Sequence, residues 1–332
     1  MLSPPQTELT EKSLRAFHIS QDGQAPALTD LPTPNPGAGE VLLDIKACGL
    51  NFADLLMVKG SYQETPPAPF TLGMEVSGVV SAVGDGVAHL KPGMRVVVFG
   101  GKGGLAEQGV FPAAQCVPLD DNMSFEHAAA FQIAYGTSHV ALDYRARLKE
   151  GETLVVLGAA GGVGLTAVEI GKRMGANVIA VARGDDKLAV AKAAGADHLI
   201  DADHPDLRGA LKELGGVDVV YDPVGGDGFK AAFRACKPEA RILTIGFASG
   251  DVPQVPANHL LVKNIDLMGF YWGGYMKFKP QVIISSLQKL MEWYLAGEIK
   301  PHISHTLPLS DVAEGFELLR TRKSTGKVVI VP

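Results

Sequence analysis

Cysteine is nearly absent from this chain of 332 residues, which carries only Cys48, Cys116 and Cys236. Three thiols so far apart give no disulfide framework, and neither they nor the nine dispersed histidines form a C-x-x-C or H-x-x-x-H pair. A metal site encoded by spacing is therefore not expected. Charge of one sign is missing in any large excess: 30 Lys and Arg stand against 36 Asp and Glu, net −6. That balance leaves no electrostatic footprint for nucleic acid or an anionic membrane. No apolar run reaches the roughly 18 residues of a membrane span. Residues 1–13 hold Glu8 and Glu11 without an apolar core, so they read as a tail rather than a signal or transit sequence. Hydrophobic content of 46% with 20% charged residues excludes a disordered chain, and the length calls for two domains. The expectation is a soluble protein of a reducing, cytoplasmic compartment.

The chain's information is concentrated in one stretch. Thr153-Leu154-Val155-Val156-Leu157 reads as a buried strand, Gly158-Ala159-Ala160-Gly161-Gly162-Val163-Gly164 as a glycine turn, and Leu165 to Ile170 as the opening of a helix. Such a join brings unpaired backbone N–H groups and the helix dipole to one point, which suits a pyrophosphate. Gly161 would let backbone approach a phosphate and Gly164 would let helix pack on strand. Ala159 stands where G-x-G-x-x-G has its first glycine. Apolar strands then alternate with helical patterns: strands at 177–182, 198–201, 217–222 and 240–246, helices at 185–194 and 205–214. This alternation means a doubly wound parallel sheet covered on both faces, and with the turn it means a dinucleotide site.

The second strand's end indicates which dinucleotide. An NAD site places Asp or Glu there, about 20 residues past the glycines, to accept from the ribose 2′-OH. Here Arg183 occupies that place and Lys187 follows. Cations suit a 2′-phosphate, which Arg holds as a fork and Lys as a point charge, so NADPH is the expected cofactor. Solvated surface charge is the alternative reading of both, and Asp185 and Asp186 suit the next helix start.

The first 120 residues differ in texture. Short β-like runs at 40–47, 74–83, 94–99 and 108–117 are separated by turns such as Pro34-Asn35-Pro36-Gly37, Gly84-Asp85-Gly86 and Lys91-Pro92-Gly93, which suggests a small barrel or sandwich. A helix at about 124–144 leads to the first parallel strand. After Gly273-Gly274 come a helix at 280–296, a strand at 302–309, a helix at 310–322 and a strand at 327–331.

Several motifs carry a family resemblance: Gly49-Leu50-Asn51-Phe52-Ala53-Asp54, Gly60-Ser61-Tyr62, Gly73-Met74-Glu75-Val76-Ser77-Gly78, Pro92-Gly93-Met94-Arg95-Val96, the Ala160–Gly164 turn, Ala194-Gly195-Ala196-Asp197 and Gly326-Lys327-Val328-Val329. With them the chain resembles a zinc-less medium-chain dehydrogenase/reductase, in particular the quinone oxidoreductases of the zeta-crystallin type. The resemblance implies a chaperonin-10-like (GroES-like) β-barrel domain built from both chain ends, residues 1–134 and 274–332, with a Rossmann domain, 135–273, inserted between them. Zinc-dependent relatives carry cysteine and histidine where Asn51 and Met74 stand here. No cysteine or histidine lies at 128–137, and no four-cysteine lobe is present, so no metal is expected.

The implied activity is NADPH-dependent reduction of a quinone or α,β-unsaturated carbonyl by hydride transfer. Without a Lewis acid an alkoxide is poorly stabilised, whereas addition to a quinone or enone yields a delocalised anion. Asn51 would hydrogen-bond the substrate or the nicotinamide, or else cap its helix. Tyr62, by analogy with similar enoyl-thioester reductases, would donate the proton, or else wall the cleft. In relatives Tyr135 and Thr137 approach the nicotinamide and phosphates; helix packing is their other reading. Ala160, Gly161, Gly162, Val163 and Gly164 would hold the cofactor diphosphate, and Gly246 and Phe247 would border the nicotinamide ribose. Arg322 aligns with a 2′-phosphate contact, or caps a helix end. Phe52, Tyr271 and Trp272 would line a flat apolar pocket, or pack in the core or a dimer. A homodimer paired through the edge strand 265–270 is implied. Alternatives are a 2-enoyl-CoA or enoyl-thioester reductase and, disfavoured by the acidic charge, a structural or RNA-binding protein.

Overall fold

The computed structural model describes residues 13–332; the N-terminal stretch read as a tail lies, apart from Ser13, outside the described residues. Sixteen strands are described: β1 Ser13–Ile19, β2 Ala27–Pro32, β3 Glu40–Gly49, β4 Phe70–Thr71, β5 Glu75–Val83, β6 Arg95–Phe99, β7 Gln108–Pro112, β8 Cys116–Pro118, β9 Thr153–Leu157, β10 Asn177–Ala182, β11 His198–Asp201, β12 Val217–Asp222, β13 Cys236–Thr244, β14 Asp266–Gly269, β15 Ile303–Pro308 and β16 Lys327–Val331. The helices are α1 Phe52–Val58, α2 Phe125–Ala129, α3 Gln132–His139, α4 Gly162–Arg173, α5 Asp185–Ala193, α6 Leu207–Glu213, α7 Gly226–Ala235, α8 Ala257–Lys263, α9 Trp272–Phe278, α10 Pro280–Leu295 and α11 Val312–Arg320. None is long and apolar enough to cross a membrane among the described residues.

The chain forms two compact units. One comprises the chain up to Ala129 with Thr306–Phe316 and Val329–Pro332; the other comprises Ala130–His305 with Glu317–Val328. These limits differ from the divisions 1–134, 135–273 and 274–332, since α10 belongs to the second unit.

In the first unit β3 is the hub. It pairs antiparallel with β5 on one side and β7 on the other, and β5 continues to β6 and β8. Register shifts between Leu42 and Leu43 and between Ile45 and Ala47 mark β-bulges, which curve a strand and let a sheet wrap around its core. Leu43, Val76, Val96 and Val98 are buried there. The chain's C-terminal end joins this sheet, Val329 and Ile330 pairing with Gly49 and Cys48. Strand β2 was not legible in sequence: it is largely exposed, so no buried face marks it.

In the second unit six parallel strands run in the order β11-β10-β9-β12-β13-β14. Strand order reverses between β9 and β12, which is where doubly wound sheets bind ligands, at the carboxyl ends of the strands. All five residues of β9 are buried, as burial on both faces requires. One core packs β9–β13 against Leu211, Phe229 and Phe233 of α6 and α7. Two expectations need correction. The helix at 124–144 is broken into α2, α3 and a π-helical turn at Val140–Arg145. Its first segment stops where the Ala129 carbonyl lies against Gly49, only 2.0 Å from where a Cβ would stand. Strand β13 starts at Cys236 rather than 240, because Glu239 at φ 62 absorbs the turn that Pro238-Glu239 suggests.

Candidate dinucleotide site and catalytic side chains

The turn after β9 is built from backbone. Gly158 sits at φ 62, and Gly161, at φ −79 and ψ 175, is the N-cap of the 12-residue helix α4. A Cβ on Gly164 would stand 2.2 Å from the Gly158 carbonyl oxygen, so glycine alone lets helix and strand close up. The first-turn N–H groups of a helix have no intrahelical partner, and a glycine cap supplies no side chain to take them. That leaves a donor array and the positive end of the dipole for an anion, a direct fit to a pyrophosphate. From behind, the Gly326 N–H donates to the Ala160 carbonyl at 2.8 Å.

Three cations gather beyond β10. Arg183 donates from Nε and Nη2 to Asp203 at 2.8 and 3.0 Å, a pair with both side chains more than 60% exposed. Asp201 accepts from the Gly184 N–H at 2.8 Å and the Asp203 N–H at 2.7 Å, and those bonds hold its carboxyl below the usual range. The Lys187 ammonium donates to the Arg322 carbonyl at 2.5 Å. Desolvation, then the charges of Arg183 and Arg322, push its pKa down. Arg322, at φ 57, donates from Nη2 to the Ala248 carbonyl at 2.7 Å. Among the described residues neither Lys187 nor Arg322 has a carboxylate partner.

Tyr135 stands apart from this cluster. It is buried on α3, stacks on Phe131 with ring centroids 4.8 Å apart, and donates its hydroxyl to Glu169 of α4 at 2.5 Å. Glu169 also accepts from the Lys300 N–H at 2.8 Å, and burial, the largest effect, raises its pKa. Thr137 is buried on the same helix. At the end of β12 the Asp222 carboxylate accepts from the Val224 and Gly225 N–H groups at 2.7 and 2.9 Å. Its other oxygen is buried without a partner, and desolvation raises its pKa. The Asp222 carbonyl accepts from Gly246 N–H at 3.3 Å, which seats the loop where Phe247 is 39% exposed.

In the first unit, Asn51 is the N-cap of α1. Its N–H donates to Asp54 at 2.8 Å, and its side-chain amide donates to the Gly49 carbonyl at 3.1 Å and to buried Glu75 at 3.2 Å. Tyr62 follows Gly60, at φ 65, in a loop tied back by Ser61 N–H to the Leu56 carbonyl at 2.9 Å; its side chain is partly exposed. Phe52 is 42% exposed. In the second unit Trp272 is buried so tightly on α3 that a Cβ on Gly136 would meet its ring at 2.8 Å, and the Tyr271 ring lies over Gly273 and Gly274. Among the described residues no group of three or more His, Cys, Asp or Glu side chains is placed to hold a metal ion.

Thus the structure gathers Arg183, Lys187 and Arg322, and draws Tyr135 into a buried pair. Sequence reasoning missed Asp203 and Glu169. Asp201-x-Asp203 after a short strand is an Asx-turn signal that would have flagged the first; nothing in the spacing pairs Tyr135 with Glu169.

Two family models match the chain: an alcohol dehydrogenase GroES-like domain over residues 37–121 and a zinc-binding dehydrogenase over residues 162–289. Together with the parallel sheet, these define a medium-chain dehydrogenase/reductase. The chain is 40% identical over 326 residues to the quinone oxidoreductase-like protein 2 homolog of Nematostella vectensis, covering 96% of this chain and 89% of that protein. It is similar to the Escherichia coli quinone oxidoreductase complexed with NADPH, at 29% identity and TM-score 0.86 over 97% of this chain and 100% of that one. A mycobacterial protein, Rv1454c, complexed with NADPH shows 30% identity and TM-score 0.89 over 96% and 100%. The chain belongs to the quinone oxidoreductase family of the medium-chain dehydrogenase/reductases.

Proposed function

We propose that this chain catalyses NADPH-dependent reduction of a quinone or an α,β-unsaturated carbonyl, with no metal ion taking part. The observation that carries the reading is the cation cluster: Lys187 and Arg322, neither with a carboxylate partner, beside Arg183 and beyond the glycine turn. A 2′-phosphate is the dianion such a group would hold; a bare ribose hydroxyl leaves it uncompensated. The two relatives of known structure are complexed with NADPH, which supports the same choice. A bound nicotinamide supplies two-electron chemistry as a hydride equivalent. The chain's residues supply the rest: first-turn N–H groups 162–164 hold the diphosphate, Gly246 and Phe247 border the ribose, and Phe52, Tyr271 and Trp272 contribute apolar surface. Asn51, held by Gly49, Glu75 and the cap of α1, hydrogen-bonds the substrate or the nicotinamide, and Tyr62 holds the proton for the developing enolate. Thr137 supports the cofactor from α3, whereas the Tyr135 hydroxyl is committed to Glu169. A homodimer and a cytoplasmic setting belong to the same proposal.

The test is a titration of NADPH and NADH, followed by nucleotide oxidation with 1,4-benzoquinone, a simple enone and crotonyl-CoA. Tighter NADPH binding with turnover of quinone or enone is expected. Equal binding of both nucleotides would overturn the cofactor assignment, and turnover of crotonyl-CoA alone would move the activity to enoyl-thioester reduction.

A further inference from the structure

Arg183 is the cation of the cluster that a carboxylate already holds, and the manner of holding is informative. Asp203 takes the side edge of the guanidinium, Nε and Nη2. A guanidinium has five N–H donors in a fixed fork, so the end edge, Nη1 with the second Nη2 hydrogen, is left for another anion. Asp203 is itself fixed: its N–H donates to Asp201, whose other carboxylate oxygen accepts from Gly184, the N-cap of α5. The ends of β10 and β11 are thereby tied together through Asp201, and Arg183 is carried on that tie.

We propose that Asp203 is a positioning residue for cofactor discrimination, presetting the Arg183 guanidinium so that its free edge meets the 2′-phosphate. The inference rests on the NADPH reading above. A long arginine side chain loses considerable rotamer freedom when it binds a ligand, and a preformed side-on pair removes part of that loss beforehand. The Asp203 charge opposes the phosphate, but both partners are more than half exposed, where solvent and salt screen the repulsion. Orientation therefore outweighs repulsion, and the net effect is the size of a well-formed exposed pair.

The experiment is a double-mutant cycle read as dissociation constants for NADPH and NADH, with thermal melts to check folding. Asp203→Ala weakens NADPH by about two- to fivefold, within the span of exposed ion pairs, and leaves NADH unchanged. Asp203→Asn, which keeps an acceptor without the charge, falls between Asp203→Ala and the unmodified protein. Arg183→Ala weakens NADPH by about tenfold or more, as loss of charge-assisted bonds does, and adding Asp203→Ala to it changes nothing further. The proposal is overturned if Asp203→Ala leaves NADPH binding unchanged or tightens it, weakens both nucleotides alike, or retains its effect without Arg183. Equal affinity of the unmodified protein for NADPH and NADH overturns the NADPH reading as well, so the two failures are distinguishable.

Discussion

In the NADPH site proposed above, the glycine turn and the cation cluster would hold different parts of one ligand by opposite means. The turn is made of backbone: its donors are N–H groups fixed by φ and ψ, and its tolerance is set by a Gly164 contact shorter than any Cβ allows. The cluster is made of long side chains, exposed at Arg183 and Arg322 and half-buried at Lys187, each oriented by a partner distant in sequence: Asp203 for Arg183, the Arg322 carbonyl for Lys187, the Ala248 carbonyl for Arg322. A backbone site is rigid and indifferent to the nucleotide's 2′ substituent. A side-chain site is adjustable and carries the discrimination. Substitutions in the turn should therefore damage folding, and substitutions in the cluster should damage selectivity.

The largest effect tests the rigid side. Gly164→Ala places a methyl against the Gly158 carbonyl at 2.2 Å, and backbone on both sides leaves nothing flexible to yield. Overpacking of this kind costs about 3 kcal/mol, read as a lower urea midpoint with an unchanged m-value. A variant as stable as the unmodified protein would mean that helix and strand are not locked, and the contrast with the cluster would fail.

What the sequence made legible follows the same line. Continuous apolar strands, the turn glycines and the identity of Arg183 and Lys187 are properties of short stretches, and β9 to β12 fall where the pattern puts them. Arg322 came from family resemblance, because the carbonyl bond joining it to Lys187 spans 135 positions. Helix 124–144 was misread as continuous because its break, where the Ala129 carbonyl lies against Gly49 some eighty positions earlier, leaves no local signal. Trp272, for which pocket lining and core or dimer packing were both open, packs on Gly136, a tertiary contact that leaves no periodic trace. Asn51 showed both of its aspects in sequence: the structure makes it a helix cap that also reaches Glu75.

Tyr135 sharpens the contrast at intermediate size. Its hydroxyl is committed to Glu169 in the buried interior, so Tyr135→Phe deprives a buried carboxyl of a donor. The cost expected is about 1–2 kcal/mol in denaturant unfolding, with NADPH affinity unchanged. The sign with pH is fixed by the raised Glu169 pKa. Below the unfolded value the group is protonated in both states and burial carries no charge penalty. As pH rises through the folded value the unmodified protein comes to hold a buried carboxylate that the tyrosine donor favours, whereas the variant keeps its proton to higher pH, so the deficit of the variant grows through and above that value. A fall in NADPH affinity without loss of stability would instead place Tyr135 in the cofactor site.

The smallest effect lies in the cluster itself. Lys187 has its pKa lowered by desolvation and by the neighbouring Arg183 and Arg322 charges. Its ammonium therefore begins to lose its proton at a pH below the ordinary 10.5. A bound 2′-phosphate dianion favours the charged form, so binding above that pKa must take up a proton, and NADPH affinity declines as pH rises through it. Below it the ammonium is already charged and affinity is level. NADH lacks the dianion and should show no such decline. Arginine stays charged across this range, so Lys187→Arg flattens the NADPH profile while keeping a cation in place. Dissociation constants for both nucleotides between pH 7 and 10, in the unmodified protein and the variant, decide the matter. Parallel declines for NADPH and NADH, or a decline that survives Lys187→Arg, would remove Lys187 from the phosphate contact and leave discrimination to the two arginines.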